Sequence, residues 1–418
     1  MDHFSYKNGV YHAEDVSLER IAQEVGTPFY CYSTATLTRH YNVFSSHFPG
    51  AKICYAVKAN GNLAILKTLA KLGGGADVVS EGEIRLALAA EVRPQNIVFS
   101  GVGKTAAEMT YALERGIFQF NVESEPELRL LNDVALAKDA KARIAVRVNP
   151  DVDAGTHAKI STGNKESKFG ISMSHALPVY KLAASLPGIE VQGVSLHIGS
   201  QLMKLEPFAQ AFARVRGFVG ELRAAGFIIK TLDLGGGLGI PYGKEEPPLP
   251  DAYADIVRRE TKGLECQLIF EPGRVLAGNA GILVSRVIYV KRSDSRIFII
   301  VDAAMNDLIR PSLYGAYHDI VHVRPPEGNT PTELADVVGP VCETGDIFAE
   351  QRLLKLPNAG DLMAFRSAGA YGASMSSTYN ARLLVAEVMV NGGEYAIVRP
   401  RQTYEELLER DRLPGWLA

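Results

Sequence analysis

A lysine stands at the end of the first strongly β-like segment of the chain. Lys58 follows the apolar run Ile53–Val57, which is typical of a buried strand. A lysine at the carboxyl end of a strand can project into a pocket, where burial lowers its pKa and the free amine can attack a carbonyl carbon. Lys58 is therefore a candidate Schiff-base lysine, with an ordinary solvated lysine after a strand as the alternative.

Further residues that could take part in catalysis or binding stand at or near the ends of later β-like runs. The glycine run Gly235–Gly237 exposes backbone N–H groups and allows an anion to approach closely, although three glycines are more often only a tight turn. Glu271 begins the run Glu271-Pro272-Gly273-Arg274, His197 ends another strand, and Asp77 lies within the second strand. A phosphate cradle together with a Schiff-base lysine indicates pyridoxal 5′-phosphate.

That cofactor needs a partner at its pyridine nitrogen. A carboxylate there keeps the nitrogen protonated and helps the ring to accept electrons, and Glu271 is well placed for this role. An ion pair with Arg274 is the alternative role for Glu271. His197 could stack on the ring, or it could be a hydrogen-bonded core histidine.

The elements that must position these residues alternate between short apolar strands and helical stretches. Eight such strands imply a parallel sheet and match a (β/α)₈ TIM-like barrel, with an open doubly wound sheet as the alternative. In a barrel the catalytic groups come from the carboxyl ends of the strands. The predicted strands are Lys52–Val57, Ala76–Ser80, Asn96–Ser100, Phe118–Val122, Arg143–Val148, Val191–His197, Thr231–Leu234 and Gln267–Phe270.

After Arg274 the predicted elements are strands with few helices between them, which indicates a C-terminal antiparallel β domain. We expect an N-terminal segment at residues 1–35 that packs with this domain through a strand at Pro28–Tyr32, a barrel at 36–275 and the β domain at 276–418. The later strands are predicted at Ile282–Arg292, Arg296–Asp302, Asp336–Cys342, Asp361–Arg366, Leu383–Val390 and Tyr395–Arg399.

Composition excludes several classes of protein. The 418 residues are 47% hydrophobic and 22% charged, which is ordinary for a globular enzyme of more than one domain. A net charge of −3 without a basic block does not favour nucleic-acid binding, and no apolar run approaches the roughly 20 residues that cross a bilayer. The N-terminus shows no secretory signal, and four scattered cysteines without a CxxC pair favour a reducing cytoplasm over a metal site or disulfides.

Taken together, five motifs resemble those of the diaminopimelate decarboxylase family, which belongs to the alanine-racemase-like, fold-type III pyridoxal-phosphate enzymes. The resemblance covers residues 20–415, nearly the whole chain. The motifs are Tyr55-Ala56-Val57-Lys58-Ala59-Asn60, His197-Ile198-Gly199-Ser200-Gln201, Gly235-Gly236-Gly237, Glu271-Pro272-Gly273-Arg274 and Cys342-Glu343-Thr344-Gly345-Asp346. The one visible departure is Thr344, where serine is common, and the hydroxyl is retained.

The resemblance implies a role for each matching residue. Lys58 would carry the cofactor, Glu271 would pair with the pyridine nitrogen and His197 would stack on the ring. The phosphate would be surrounded by Ser200, Gly235, Gly236, Gly237, Gly273, Arg274 and Tyr371, and Asp77 is a further cofactor-site candidate.

The resemblance also implies how an amino-acid substrate is held. Arg274, Arg310 and Tyr314 would bind its distal carboxylate, with Tyr371 nearby, and Glu343 would recognise its distal ammonium. Cys342 would return a proton to Cα after CO₂ leaves. In the family the segment corresponding to Cys342 and Glu343 comes from the second subunit of a homodimer, and residues 158–170 resemble a loop over the site.

The implied reaction is decarboxylation of meso-2,6-diaminoheptanedioate to L-lysine and CO₂, the last step of bacterial lysine synthesis. Related decarboxylases of ornithine, arginine, lysine or a carboxylated polyamine are the alternative within enzymes, because Arg274 and Arg310 could serve other anions. An alanine racemase is disfavoured by Glu271, since an arginine is expected at the ring nitrogen there. A non-catalytic cofactor carrier is disfavoured because single-domain carriers of this fold lack the β domain, and a regulatory decoy is disfavoured because Lys58 and Cys342 are both present.

Overall fold

The computed structural model describes residues 2–153, 162, 167–326, 328 and 330–417. The backbone divides into two compact units. One comprises residues 37–241 and 245–276, and the other comprises residues 1–36, 242–244 and 277–418. Most of the predicted loop at 158–170 lies outside the described residues. No helix of the described part is long and apolar enough to cross a membrane.

The strands in chain order are β1 (Phe4–Lys7), β2 (Val10–Ala13), β3 (Val16–Ser17), β4 (Phe29–Ser33), β5 (Lys52–Ala56), β6 (Gly75–Val78), β7 (Ile97–Phe99), β8 (Gln119–Val122), β9 (Ala142–Asn149), β10 (Ile171–Ser172), β11 (Ile189–Ser195), β12 (Thr231–Asp233), β13 (Gln267–Phe270), β14 (Gly281–Arg292), β15 (Ile297–Val301), β16 (Ile320–His322), β17 (Thr332–Val338), β18 (Ile347–Lys355), β19 (Leu362–Phe365), β20 (Ala386–Asn391) and β21 (Glu394–Arg399). The helices are α1 (Leu18–Val25), α2 (Thr34–Ser46), α3 (Leu63–Lys71), α4 (Glu81–Ala89), α5 (Ala106–Arg115), α6 (Glu125–Ala137), α7 (Met173–Ser185), α8 (Glu206–Ala224), α9 (Pro250–Thr261), α10 (Arg274–Ala277), α11 (Arg310–Tyr314) and α12 (Tyr404–Leu408).

Eight parallel strands close into a barrel in the first unit. Their order is β5, β6, β7, β8, β9, β11, β12 and β13, and β13 pairs with β5 to complete the ring. This confirms the predicted (β/α)₈ barrel and rules out the open doubly wound sheet. Strands β6, β7 and β8 are buried along their whole length, as expected for strands covered by helices outside and side chains inside.

Polar side chains fix where several barrel helices begin. Ser80, Thr105 and Ser124 each accept a hydrogen bond from a backbone N–H in the first turn of the following helix, α4, α5 and α6. Such a cap satisfies an N–H group that has no partner inside the helix. Short capped turns therefore end each of these strands at a defined residue, which fixes the side chains at the carboxyl rim of the barrel.

The second unit is built on two sheets. Strands β1, β2 and β3 form a small antiparallel sheet. The larger sheet of nine strands has the path β18–β17–β15–β14–β4–β20–β21, with β19 paired to both β14 and β16. Its pairs are antiparallel except β15–β17 and β4–β20, so the predicted β domain is confirmed as mainly antiparallel.

Strand β4 runs through the middle of the larger sheet. It pairs antiparallel with β14 and parallel with β20. Phe29 and Cys31 of β4 pack with Ile282 and Val388 in one hydrophobic cluster of this unit. The N-terminal segment is therefore a structural part of the sheet formed by the C-terminal residues.

One strand prediction in this unit is wrong in its bounds. The run Asp336–Cys342 was expected to be a strand ending at Cys342, but β17 ends at Val338 and Cys342 lies in the turn that precedes β18. Gly339, Pro340 and Gly345 break the extended pattern there, because glycine and proline favour turns.

Candidate active site

Lys58 lies in a short 3₁₀ turn, Val57–Ala59, directly after β5. Its Nζ is 2.9 Å from Oδ2 of Asp77, which is fully buried in β6. The side chain of Lys58 is 40% exposed, so the lysine is held by an ion pair and is not enclosed in apolar surroundings as the sequence suggested. The other oxygen of Asp77, Oδ1, is buried and has no hydrogen-bond partner among the described residues.

Glu271 follows the last residue of β13, and its carboxyl group lies among polar side chains of the barrel interior. Its Oε1 is 3.1 Å from Nδ2 of Asn121 and 3.3 Å from Oγ of Ser100. Burial raises the pKa of Glu271 well above its ordinary value, and the nearby carboxyl groups of Asp233 and Asp77 raise it further. Sequence reasoning did not identify Asn121, Ser100 or Asp233 as part of this site.

His197 is placed by the turn after β11. The backbone N–H of Gly236 donates to its Nδ1 at 3.2 Å, so Nδ1 is the unprotonated nitrogen of a neutral ring. Loss of hydration lowers the pKa of His197 well below 6.5, and the positive charges of Arg147 and Lys58 lower it further. A neutral imidazole beside the glycine run follows from this arrangement.

We expect His197 to remain neutral through the pH range in which an ordinary histidine becomes charged. Its folded-state pKa is lowered, so the folded chain binds fewer protons there and loses stability as the pH falls below about 6.5. A ¹⁵N NMR titration can follow the ring, with His197→Gln assigning the signal and the exposed His175 as internal reference. Protonation of His197 at or above 6.5 would refute the assignment.

The glycines at the end of β12 are required by close approach of the backbone. A Cβ at Gly235, Gly236 or Gly237 would lie 2.5, 2.3 or 2.5 Å from the carbonyl oxygens of Leu196, Glu271 and Gly199, respectively. Gly235 and Gly237 also have positive φ angles of 65° and 118°. No side chain can occupy this turn, and its first two N–H groups, those of Gly235 and Gly236, donate to Asp233 and His197.

Replacing Gly236 by alanine is expected to disturb the turn. The new methyl group would collide with the carbonyl oxygen of Glu271, which is a backbone atom and cannot rotate aside as a side chain could. Forcing an extra methyl into such a position costs roughly 1–3 kcal/mol or more. Thermal unfolding and cofactor titration of the full chain would both show the effect. Gly217→Ala is the matched control, since a Cβ at that exposed position in α8 meets nothing within 4 Å. Equal behaviour of the two variants would contradict the close-packed turn.

Ser200 and Arg274 meet beside the glycine turn. Nη2 of Arg274 donates to Oγ of Ser200 at 3.0 Å, and Nε lies 3.3 Å from the same oxygen. Arg274 is buried at the start of α10, immediately after Gly273. A buried guanidinium and a hydroxyl beside a turn without side chains are groups that bind phosphate.

A cavity of about 380 Å³ opens among these residues, with Lys58, His197 and Glu271 in its wall. Arg147 and Phe169 also line it, and neither was identified from the sequence. The Arg147 guanidinium lies 5.0 Å from the centre of the Phe169 ring, and its Nη1 is 2.9 Å from Oε1 of Glu123. The signal available for Arg147 was a charged residue between the apolar residues Val146 and Val148 of β9.

Five predicted site residues lie in the β unit. Arg310 begins α11 and is buried, with Nη1 2.8 Å from Nε2 of His318 and the guanidinium 4.5 Å from the centre of the Tyr242 ring. Tyr314 ends the same helix and is partly exposed. A buried guanidinium beside a tyrosine is a suitable receptor for a carboxylate.

Cys342 and Glu343 are exposed on a turn that other side chains hold in place. Oδ1 of Asn380 accepts a hydrogen bond from the Cys342 N–H at 3.0 Å. The Asp346 carboxylate accepts from the N–H groups of Val341 and Met305 at 2.7 and 2.6 Å. Glu343 is also hydrogen-bonded to the Tyr379 side chain, so both candidate groups have defined local surroundings.

Tyr371, the last predicted residue, adopts a left-handed backbone conformation with φ of 56°. Non-glycine residues rarely take this conformation, and it often accompanies functional turns. The following residue, Gly372, is required by packing, because a Cβ there would lie 2.6 Å from the Ala368 carbonyl oxygen.

Comparisons with known proteins place the chain in a family. Residues 34–278 match the family model described as pyridoxal-dependent decarboxylase, pyridoxal binding domain. The diaminopimelate decarboxylase of Zymomonas mobilis is 52% identical over 99% of both chains. Among solved structures, the diaminopimelate decarboxylase of M. jannaschii in complex with L-lysine matches with a TM-score of 0.95 and 36% identity, over 100% of this chain and 99% of that one. The Helicobacter pylori enzyme, also in complex with L-lysine, matches with a TM-score of 0.91 and 41% identity, over 94% and 98% of the two chains.

The matched domain and the site define a class of protein, the pyridoxal-dependent decarboxylases. Within that class the full-length matches are more specific, and the chain belongs to the diaminopimelate decarboxylase family.

Proposed function

We propose that the chain uses pyridoxal 5′-phosphate to decarboxylate meso-2,6-diaminoheptanedioate, giving L-lysine and CO₂. The observation that carries this proposal is the cavity with Lys58 and Glu271 in one wall, in a chain of this family. An amine for covalent attachment and a carboxyl for the pyridine nitrogen are the two groups that this cofactor requires of its protein.

The residues of the barrel fit the cofactor. The glycine turn presents no side chain of its own, and the neighbouring Ser200 and Arg274 offer a hydroxyl and a guanidinium for phosphate. Lys58 would attach the cofactor covalently, and the buried Asp77 Oδ1 has capacity for one more hydrogen bond. His197 would lie against the ring, and Gly273 and Tyr371 would complete the phosphate surroundings.

The bound group supplies an acceptor for the electron pair that remains on the substrate when CO₂ departs. Glu271 would hold a proton at the pyridine nitrogen, since a buried carboxyl can share one there. The neutral His197 would add no positive charge of its own, and it would cover one face of the site and exclude water.

The distal end of the substrate carries both a carboxylate and an ammonium. Each charge needs a partner, because an unpaired charge is costly to bury. We assign the carboxylate to Arg310, Tyr314 and Arg274, with Tyr371 as a further contact. The distal ammonium is assigned to Glu343, which is an exposed carboxylate. An amino acid without the distal carboxylate would leave the buried Arg310 without its anion.

A proton must return to Cα after CO₂ is lost. We assign this step to Cys342, whose thiol can act as a general acid when its surroundings suit it. The family resemblance further suggests that Cys342 and Glu343 serve the site of a second copy in a homodimer. An exposed turn that local hydrogen bonds hold in place suits that role.

We also propose residues 36–275 as the cofactor-binding domain, and residues 1–35 with 276–418 as the β domain. A cytoplasmic location is proposed from the cysteines, because the four that the chain contains are all free.

The proposed function is tested by offering the loaded full-length protein four substrates in parallel: meso-diaminopimelate, L-lysine, L-ornithine and L-arginine. CO₂ release from diaminopimelate alone is expected. Release from ornithine, arginine or lysine at a comparable kcat/KM would keep the cofactor chemistry but overturn the assignment of Arg310 and Glu343. Release from none of them would overturn the proposed reaction.

A further inference from the structure

A second buried carboxyl group stands next to Glu271. Asp233 is the last residue of β12 and is fully buried. Its Oδ2 and Oε1 of Glu271 lie 2.9 and 3.1 Å from the same amide nitrogen, Nδ2 of Asn121, so the two carboxyl groups are close neighbours. Two neighbouring buried carboxyl groups repel each other when both are charged, and they can form a hydrogen bond with each other only if one of them carries a proton.

The pair is held by a directed chain of hydrogen bonds inside the barrel. The Thr231 hydroxyl donates to Oε1 of Gln119 at 2.8 Å, and Nε2 of Gln119 donates to Oδ1 of Asn121 at 2.8 Å. The amide nitrogen of Asn121 then contacts Oδ2 of Asp233 at 2.9 Å and Oε1 of Glu271 at 3.1 Å. Because the side-chain oxygen of Asn121 accepts from Gln119, the side-chain NH₂ group of Asn121 faces the two carboxyls.

Asp233 also connects this pair to the glycine turn. Its Oδ1 accepts a hydrogen bond from the N–H of Gly235 at 3.0 Å. One buried side chain therefore contacts both Glu271 and the first residue of the phosphate cradle, and a shift of Asp233 would disturb both.

We propose that Asp233 is a positioning residue for Glu271, and that the two buried carboxyl groups share a single proton at the inner end of the site. This inference rests on the proposed function, in which Glu271 serves the pyridine nitrogen. Glu271 would contact the cofactor directly, and Asp233 would act through Glu271 by keeping its carboxyl in place and by adding negative charge behind it.

The electrostatics of the barrel interior agree with this arrangement. Burial raises the pKa of Asp233 to about 6, whereas the hydrogen bonds from Glu271 and Asn121 oppose that rise. The pKa of Glu271 is raised more strongly. Burial therefore favours one proton on the pair over two charged carboxylates. The other ionisable groups whose charge acts on the pair are Asp77 and Lys58, and the buried Cys54 and Tyr253, whose own pKa values the pair raises, also face it.

The shared proton is measurable without turnover. ¹³C NMR of the full-length chain, labelled at the side-chain carboxyls of glutamate and aspartate, can follow Glu271 and Asp233 against pH. The variants Glu271→Gln and Asp233→Asn assign the two signals by their loss. In the unmodified chain each signal should titrate in two steps, because a coupled pair has macroscopic titrations. Each single variant should leave its partner with one step.

Independent one-step titrations of Glu271 and Asp233 in the unmodified chain would overturn the proposal, whether or not either variant folds. Failure of the proposed function would instead appear in the substrate assay and would leave the two-step titrations unchanged. The two failures are therefore distinguishable.

The positioning role is tested in the cofactor-loaded protein. Asp233→Asn should lower kcat roughly 10- to 100-fold with little change in KM, and should shift the pH profile of kcat. Asp307→Asn is the matched control, since Asp307 is another buried carboxyl with a pKa raised to about 7, chiefly by burial, and lies in the β unit. A loss of kcat in Asp233→Asn without any shift of the pH profile would indicate a structural role only and would overturn the proposal.

Discussion

Replacing Lys58 with alanine is expected to abolish turnover, with kcat/KM lower by about 10⁴-fold or more, because the cofactor loses its point of covalent attachment. The Lys58 Nζ is the one amine in the wall of the cavity among the residues that the structure describes there. Asp77 would lose its ion-pair partner, and its carboxylate cannot replace the Lys58 amine as the point of covalent attachment. Borohydride reduction followed by peptide mass spectrometry would locate the attachment and should find no labelled lysine in the variant.

Lys52→Ala is the matched control for that variant. Lys52 begins β5, the strand that Lys58 follows, and its Nζ contacts the Gln95 carbonyl and Oδ1 of Asn96. The control should retain covalent cofactor and most of its activity. Unchanged turnover in Lys58→Ala, or a label found on another lysine, would contradict the Schiff-base assignment.

Cys342→Ala is expected to slow product formation by about 10²–10⁴-fold while the cofactor stays bound, since the thiol is assigned to proton return and not to attachment. The Cys342 backbone is held through its N–H by Asn380, so removal of the thiol should leave the turn in place. The ratio of L-lysine formed to cofactor bound measures both properties in one experiment.

Cys266→Ala is the matched control for the thiol. Cys266 is free and partly buried just before β13, at the amino end of a barrel strand and away from the carboxyl rim. Its loss should change the rate little. Equal rates for Cys342→Ala and the unmodified chain would remove Cys342 as the acid.

The barrel could be predicted strand by strand because its signal is local. All eight of its strands lie within two residues of the predicted bounds at both ends, and β13 has the predicted bounds. Short apolar runs between helical stretches are sufficient for that prediction. The same rule failed for β18, whose residues Glu350, Gln351 and Arg352 are polar in succession, and for the three-residue β16.

The candidate site was predictable where residues stand at strand ends, as Lys58, His197 and Glu271 do. Of the residues that were missed, Asn121 and Arg147 lie inside strands and Asp233 is the last residue of β12. Asn121 and Asp233 point into the barrel from runs that appear merely buried, and only their partners across the barrel explain them. A period-two pattern of polar residues, such as Gln119 and Asn121 in β8, was the signal available in the sequence.

The polar interior depends on contacts between residues far apart in the chain. Asn121 and Glu271 are 150 positions apart, and their hydrogen bond exists because β8 and β13 belong to one closed ring. No pattern of neighbouring residues in the sequence predicts this hydrogen bond. The proximity of the Asp233 and Glu271 carboxyls therefore became visible only when the barrel placed both beside Asn121.

The most direct test of the account is the yield of CO₂ and L-lysine in a single reaction of the loaded full-length protein with meso-diaminopimelate. We expect the two products to appear in equal amounts, with L-lysine as the only amino acid formed. CO₂ without L-lysine, or consumption of diaminopimelate without CO₂, would contradict the proposed function.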